Sequence, residues 1–193
     1  MEKSSITPIQ PTTDQLTNWW NWALSFQKGP DSPFDKSIGK RFHDVSRQEL
    51  EIYCLACTAG KGNSGKVIRP TLDYAINSGK DIFVPILVTA VEDSADLDAQ
   101  HPENLKGDTI FNINGNPANV FDIDLTINIP VNQDNEFDIT NSSNQTLYTR
   151  NKCALIKSGE ASNLESVEFG GKLGRVSVTD SDTFITLVEF TKN

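Results

Sequence analysis

The stretch "NVFDIDLTINIPV", residues 119–131, alternates apolar and polar residues from Phe121 to Ile129. A period of two is the spacing at which successive side chains of a β-strand point to opposite faces. The preceding stretch "TIFNINGN", residues 109–116, alternates in the same way and contains Asn114-Gly115, a strong signal for a tight turn. The two stretches therefore predict strands that each bury one face.

The rest of the C-terminal half continues this pattern. Four more segments of strand length follow, each bounded by Gly, Asn, Asp or Ser: "TLYTRNKCALIKSG", "NLESVEFGGK", "GRVSVTD" and "DTFITLVEFTKN". We predict a mainly-β fold, an antiparallel and jelly-roll-like β-sandwich, with residues 108–193 as its strand-rich half. A chain of 193 residues fits a single domain, residues 1–193.

One short helix is predicted near the N-terminus, over residues 12–26. Thr12 and Gln15 form a T-x-x-Q capping box, and Asp14 lies in the first turn. Apolar residues recur behind them at helical spacing: Leu16, Trp19, Trp20, Ala23 and Leu24. The helix carries all three tryptophans, so we expect it to pack on a sheet.

Two apolar runs in the middle of the chain have strand length. They are "EIYCLACTA", residues 51–59, and "KDIFVPILVTAV", residues 80–91. Pro85 in the second run predicts an edge position or a bulge, because proline cannot donate to a ladder. The acidic stretch that follows, residues 92–104, is expected to be a loop or one helical stretch.

Between those runs, "TAGKGNSGKVIRP" contains G-x-x-x-x-G-K from Gly60 to Lys66. A phosphate-binding loop needs Ser or Thr after its lysine and a helix whose first amides face the phosphates. Here Val67 follows the lysine, and Pro70 opposes a helix start. We interpret the whole segment as a hairpin or crossover loop and not as a nucleotide site.

Charge and hydropathy limit the partners. The net charge of −9 repels phosphate backbones, and the basic residues form no stripe, so no nucleic-acid partner is expected. No long uninterrupted apolar window occurs, so no membrane insertion is expected either. The N-terminus has no apolar signal segment, which predicts a cytoplasmic location for the chain as it stands and an exported one if a signal was removed.

Cys54 and Cys57 form a C-x-x-C pair, and Cys153 stands alone. Such a pair binds zinc or does redox chemistry when a turn brings both sulfurs together, whereas on a strand these two positions face opposite sides. We interpret the cysteines as packed thiols, with a metal or redox site as the alternative.

Metal sites can also be sought among the histidines and the acidic residues. His43 and His101 lie in predicted loops, and Asp44 next to His43 could join them in a mixed site; otherwise they are solvated loop residues. Four polar strand residues recur at spacing two and could offer oxygen ligands to calcium: Asn112, Asn114, Asp122 and Asp124. The simpler interpretation is that they form the solvated face of a sheet. No G-x-S-x-G nucleophile motif occurs.

Several segments together resemble a family of bacterial and archaeal proteins, many of them exported, with no assigned activity. The segments are "WWNWALSFQKGPDSPFDKSIGK", "IYCLACTAG", Arg69-Pro70 and "INSGKDIFVPI". They are similar to that family's W-x-x-W, P-x-x-D-x-[ST]-G, V-W-F-L-A-G-T, Arg and V-P-A-G-K-A-x-x-x-P-I motifs. "INGNP" and "NLESVEFGG" resemble its D-G-x-P turn and its last strand.

This sequence also departs from the family pattern. Cys57 stands where the family has glycine and Cys54 where it has an aromatic residue, which supports packed thiols. Glu165 or a neighbour replaces a family histidine, so no role of that histidine transfers. The resemblance implies a fold and no reaction.

We therefore expect a non-catalytic β-sandwich that binds a small molecule, a carbohydrate or a protein. It would use an exposed edge or a loop cluster near Asp35, Arg69 and Lys80, which coincide with the resembling motifs. The alternative is a metal-dependent hydrolase that uses His43, Asp44 and His101 as ligands. Whether the protein is an enzyme, which cofactor it holds and how many copies assemble do not follow from the sequence.

Overall fold

The computed structural model describes residues 5–29, 32–34, 51–56, 65–69, 79–100, 109–173 and 182–190, and the alternating stretches within these ranges form strands. The predicted strand "GRVSVTD", residues 174–180, lies outside the described residues. Three helices occur in the described ranges: α1 (Thr13–Ala23), α2 (Ser94–Gln100) and α3 (Ser158–Ala161). None of the three has the length and apolar character that crossing a bilayer requires.

The described strands form two sheets. In chain order they are β1 (Ile52–Cys54), β2 (Gly65–Arg69), β3 (Asp81–Val91), β4 (Thr109–Ile113), β5 (Asn116–Pro117), β6 (Phe121–Val131), β7 (Ser142–Ile156), β8 (Ser166–Leu173) and β9 (Asp182–Glu189). The first sheet has four strands in the order β1-β3-β7-β6. The second sheet has five in the order β2-β9-β8-β4-β5. The predicted mainly-β, sandwich-like fold with an N-terminal helix is confirmed.

Two strand pairs at the sheet edges differ from an all-antiparallel arrangement. β1 pairs with β3 and β2 pairs with β9 in parallel, while the other pairs are antiparallel. β1 and β2 follow one another in the chain but belong to different sheets. The connection from β1 to β3 and the connection from β2 to β9 are therefore crossovers, because two parallel strands cannot be linked by a tight hairpin.

The lysine of the glycine-rich segment lies in a strand and not in a loop. Gly65–Arg69 is β2, with Lys66 opposite Ile185 and Val67 opposite Thr186 of β9. The prediction of a connecting loop was wrong for these residues, because the β-branched pair after Lys66 extends the second sheet. Residues 57–64 lie outside the described ranges. A strand at the lysine is not the helix start that a phosphate loop needs.

α1 begins as predicted and ends earlier. The Thr12 hydroxyl accepts from the Gln15 amide at 3.2 Å, and the Gln15 side chain accepts from the Thr12 amide at 2.9 Å. The helix ends at Ala23 instead of residue 26, because the Ser25 amide bonds the Trp22 carbonyl at 3.1 Å and so tightens the last turn.

α1 packs on one face of the first sheet. Trp19 stacks on Phe83 of β3 with ring centroids 5.6 Å apart, and Trp20 meets Phe137 edge to face at 5.2 Å. β3 also contacts β8 and β4 of the second sheet. The tryptophans fill the space between α1 and the first sheet.

Two local predictions in the strands are confirmed. The register of β3 against β7 shifts between Pro85 and Leu87, so the proline marks a bulge within an interior strand. Asn114 and Gly115 have φ of 52° and 79° and join β4 to β5. These left-handed angles suit a type I′ hairpin turn. For the acidic stretch after β3, which was predicted to be a loop or one helical stretch, the structure shows a helix, α2.

Candidate functional site

Of the residues predicted to bind a ligand or a metal, Arg69 and Lys80 lie within the described ranges. Arg69 ends β2, and Lys80 lies just before β3. Asp35, His43, Asp44 and His101 lie outside the described residues, as does Cys57. The predicted ligand cluster and the predicted metal site therefore stay predictions. In the described part of the chain, no three His, Cys, Asp or Glu side chains are grouped to hold a metal.

Strand register places Arg69 and Lys80 at the same end of the molecule. Arg69 is opposite Val188 in β9, and two residues later the Phe190 amide bonds the Glu165 carbonyl at 2.8 Å. Glu165 ends the short connection that carries α3 and joins β7 to β8. Because β7 ends where the antiparallel β3 begins, this connection also lies beside Lys80.

One ion pair at this end joins Asp81 to Lys157. The Asp81 carboxylate accepts from Lys157 Nζ at 2.5 Å and from the Ser158 amide at 2.9 Å. Burial acts to raise the pKa of Asp81, but the hydrogen bonds from Lys157 and Ser158 outweigh it and hold that pKa below its usual value. The contact fastens the end of β7 to the start of β3, which is a structural role.

The two described cysteines are buried thiols, as predicted. Both side chains have 0% exposure. Burial, with a smaller effect from the Asp122 charge, raises the pKa of Cys153 from 9.0 to about 12. Burial also raises the pKa of Cys54, and the Lys80 charge opposes that shift only in part. A protonated, buried sulfur is a poor nucleophile and a poor metal ligand.

The paired acidic residues on β6 face solvent and bind cations of the neighbouring strand. Asp122 accepts from Lys152 Nζ at 2.6 Å, and Asp124 forms an ion pair with Arg150 at 3.1 Å. These side chains cross the β6–β7 pair on its solvated face. The interpretation of a polar strand face is thus confirmed for Asp122 and Asp124, whose carboxylates do not converge as calcium ligands would. Asn114 lies instead in the turn between β4 and β5.

The outer side of β6 is the most extended open feature of the described molecule. β6 runs from Phe121 to Val131 and ends the first sheet, and among the described residues no strand pairs with its other side. Unpaired main-chain groups along a sheet edge are a template for a further strand. We call this side of β6, from Phe121 to Val131, the outer edge.

The hydrogen-bond pattern identifies which groups face the outer edge. Leu155 of β7 exchanges two main-chain bonds of 2.9 Å with Ile9, on the side of β7 that carries β6. Residues of an antiparallel strand alternate in the side to which their N–H and C=O point. The odd-numbered residues of β7 therefore face β6, as do their partners such as Ile123 and Leu125.

Side-chain contacts support this assignment. The carbonyls of Ile123 and Leu125 face β7, since they also accept from Asn151 Nδ2 at 3.0 Å and Thr149 Oγ1 at 2.9 Å. The outer edge is consequently formed by the N–H and C=O groups of the intervening residues, whose side chains are all exposed: Asp122, Asp124, Thr126 and Asn128. Pro130 has the same orientation but no N–H to offer.

Sequence reasoning found β6 but not its position in the sheet. Alternation predicts a strand with one buried face, and it carries no information on which strand lies beside it. One signal was present: a proline at an exposed position of a strand favours an edge, and Pro130 is such a residue.

Comparison with family models, curated proteins and solved structures finds no match to this chain. The resemblance of its motifs to the W-x-x-W family therefore stays a prediction.

Proposed function

We propose that this protein is a non-catalytic binding module that takes an extended segment of a partner polypeptide onto the outer edge of β6. The observation that carries the proposal is the alternation along β6: the four exposed residues Asp122, Asp124, Thr126 and Asn128 direct their main-chain N–H and C=O groups away from β7, to the side where no described strand pairs with β6. Main-chain hydrogen bonds of a strand-addition complex would supply affinity, and the alternate side chains would supply specificity.

β6 is already ordered by its contacts with β7 and α1 before any partner binds. On its inner side β6 is paired with β7 from Phe121 to Ile129. The buried Asn151 side chain bonds the Ile123 carbonyl, the Thr149 hydroxyl and the Trp20 indole, which links β6 to α1 through satisfied polar groups. A strand that is already ordered loses little conformational entropy on binding, which favours affinity.

The two faces of β6 define the partner's chemistry. On the face toward α1, Phe121, Ile123 and Leu125 are half-buried, so a partner strand should add apolar side chains there. On the solvated face Asp122 and Asp124 are exposed, so the partner should present neutral or basic residues opposite them. We propose an alternating apolar and polar segment without carboxylates at those positions.

A peptide titration tests this function. The probe is a synthetic peptide with the sequence of residues 119–131, flanked by lysines for solubility, added to ¹⁵N-labelled protein at a protein concentration of about 20 μM. We expect the Asp122, Asp124, Thr126 and Asn128 amides to shift on binding. A scrambled peptide is the control.

A matched pair of variants sharpens the test. Thr126→Pro removes an outward N–H and leaves the β7 ladder intact, whereas Thr126→Val keeps the N–H and the β-branched shape. We expect Thr126→Pro to weaken peptide binding at least about tenfold and Thr126→Val to retain it. Absence of binding at about 1 mM peptide, or equal binding by both variants, would overturn the proposal.

The ligand-binding role of Asp35, Arg69 and Lys80 is a separate prediction, which this titration leaves aside.

A further inference from the structure

We infer that the partner strand is β6 of a second copy of this chain, paired antiparallel across a two-fold axis at Leu125. The inference rests on the proposed function, because it needs the outer edge of β6 to accept a strand. It is carried by the sequence of β6 together with the orientation of its main-chain groups, which restrict the registers that two copies can adopt.

Two copies of one strand related by a two-fold axis pair in a register fixed by the residue on the axis. Because the outward N–H and C=O groups belong to even-numbered residues, those residues must lie opposite one another. An axis at Ile123 places Asp122 opposite Asp124 of the second copy, and an axis at Asp124 places that residue opposite itself. Like charges directly opposite one another are destabilising, so neither register is favoured.

An axis at Thr126 avoids the like charges but is incomplete. It places Asp122 opposite Pro130 of the second copy, and the missing N–H of the proline removes a ladder bond at each end. It also places Phe121 opposite Val131, which lies beyond the register shift of β6 between Ile129 and Val131.

An axis at Leu125 places no like charges opposite one another, and it places no acidic residue opposite Pro130. Asp124 then lies opposite Thr126 and Asp122 opposite Asn128, so each carboxylate meets a hydroxyl or an amide that can donate to it. The carboxylates retain lone pairs for this bond while they bind Arg150 and Lys152. Every outward-facing acidic residue therefore gains a donor and meets no like charge.

The other face of β6 fits the same register. Phe121 lies opposite Ile129, Ile123 opposite Ile127, and Leu125 opposite itself. Phe121, Ile123 and Leu125 are half-buried in the single copy and would become covered. Pro130 falls just beyond the last of these pairs and so ends the ladder, which makes the pairing finite.

The joined sheet would be small in contact area, so we expect a weak and concentration-dependent dimer. Sedimentation velocity of the full chain, from about 10 μM to about 1 mM, measures it directly. The register is tested by charge at Thr126, the residue opposite Asp124 of the second copy.

Thr126→Lys places a cation opposite Asp124 twice per dimer, and we expect it to tighten association about tenfold. Thr126→Asp places a like charge there, and we expect it to weaken association about tenfold. Thr126→Val should differ little from the native chain, and Thr126→Pro should abolish the dimer while thermal unfolding remains cooperative. An axis at Thr126 would instead place residue 126 opposite itself, so that Lys and Asp both weaken association.

The outcomes of these experiments distinguish the pairing of two copies from the strand-binding function. Weakening by both charged variants overturns the Leu125 register, and a dimer indifferent to all four variants overturns pairing through β6. A chain that stays monomeric at about 1 mM while the β6-sequence peptide still binds overturns the second copy and leaves the strand-binding function in place. A monomeric chain that also fails to bind the peptide overturns both.

Discussion

At the scale of single residues, the three tryptophans of α1 differ in their polar contacts. Trp19 Nε1 donates to the Leu55 carbonyl at 2.9 Å, and Trp20 Nε1 donates to Asn151 Oδ1 at 3.0 Å. Trp22 Nε1 is buried with no hydrogen-bond partner among the described residues. Helical spacing predicts that these rings point inward, but the partner of each N–H depends on strands far away in the sequence.

Trp20→Phe and Trp22→Phe form a matched pair on the same helix. Both variants remove a similar volume, but Trp20→Phe also leaves the buried Asn151 oxygen without its donor, which costs about 1–3 kcal/mol. We expect Trp20→Phe to lower the free energy of unfolding by about that much more than Trp22→Phe. Urea denaturation followed by circular dichroism measures both. Equal losses would contradict the role of the Trp20–Asn151 bond.

The buried thiols predict a loss of stability at alkaline pH. The pKa of Cys153 is raised from 9.0 to about 12 in the folded state. Above pH 9 the unfolded chain ionises this thiol while the folded chain does not, so the unfolded state binds fewer protons and the free energy of unfolding falls as pH rises. The slope is at most about 1.4 kcal/mol per pH unit for one thiol.

The Cys153→Ala variant isolates this contribution. We expect its free energy of unfolding to fall less steeply than that of the native chain between about pH 9 and about pH 10.5. Comparing the two slopes removes the effect of other groups that titrate in this range. Parallel slopes would contradict a protonated Cys153 in the folded protein.

At the scale of elements, the β4–β5 turn fastens one hairpin to the start of β8. The Asn114 side chain accepts from the amides of Glu165 and Ser166 at 2.7 Å and 3.1 Å, and it donates to the Asn163 carbonyl at 2.9 Å. The Asn-Gly dipeptide predicted the turn, because both residues tolerate left-handed φ. It did not predict these bonds, which join segments about fifty residues apart.

Asn114→Gly tests this contact without straining the turn, because glycine adopts the φ of 52° freely. The variant leaves the Glu165 and Ser166 amides without their acceptor, and we expect a loss of about 1–3 kcal/mol in the free energy of unfolding. Asn116→Ala, at an exposed position of the same hairpin, is the control and should cost little. An unchanged free energy in Asn114→Gly would contradict a stabilising role for the turn side chain.

At the scale of the whole molecule, the sequence predicts where helices and strands occur better than it predicts which strands lie side by side. The period of two identified β6, the capping box identified α1, and Pro85 identified a bulge, since each is a local property of the chain. The parallel pairs β1–β3 and β2–β9 and the edge position of β6 are set by strand order, which depends on packing between distant segments.

The same limit applies to the candidate site. The acidic residues of β6 were recognised as a polar strand face, but their cations on β7 and their place at a sheet edge follow only from the fold. Asp35, Arg69 and Lys80 were selected through a resemblance of motifs, and register brings Arg69 and Lys80 to one end of the molecule.

Net charge predicts how salt affects self-association. Each copy carries a charge of −9, so two copies repel one another over a range set by the Debye length, about 30 Å at 0.01 M salt and about 3 Å at 1 M. We expect added NaCl, from about 0.02 M to about 0.5 M, to tighten the dimer severalfold in sedimentation experiments. Dissociation by salt would indicate an interface between opposite charges and would contradict pairing through β6.

The measurement that tests the outer edge most directly is residue-resolved amide hydrogen exchange in β6. In a dilute sample we expect slow exchange at Ile123, Leu125 and Ile127, whose amides face β7, and fast exchange at Asp122, Asp124, Thr126 and Asn128. The four fast amides should become protected as strand partner or protein concentration is raised. Protection of those four at every dilution would mean that the chain covers its own β6 edge, and it would contradict the account.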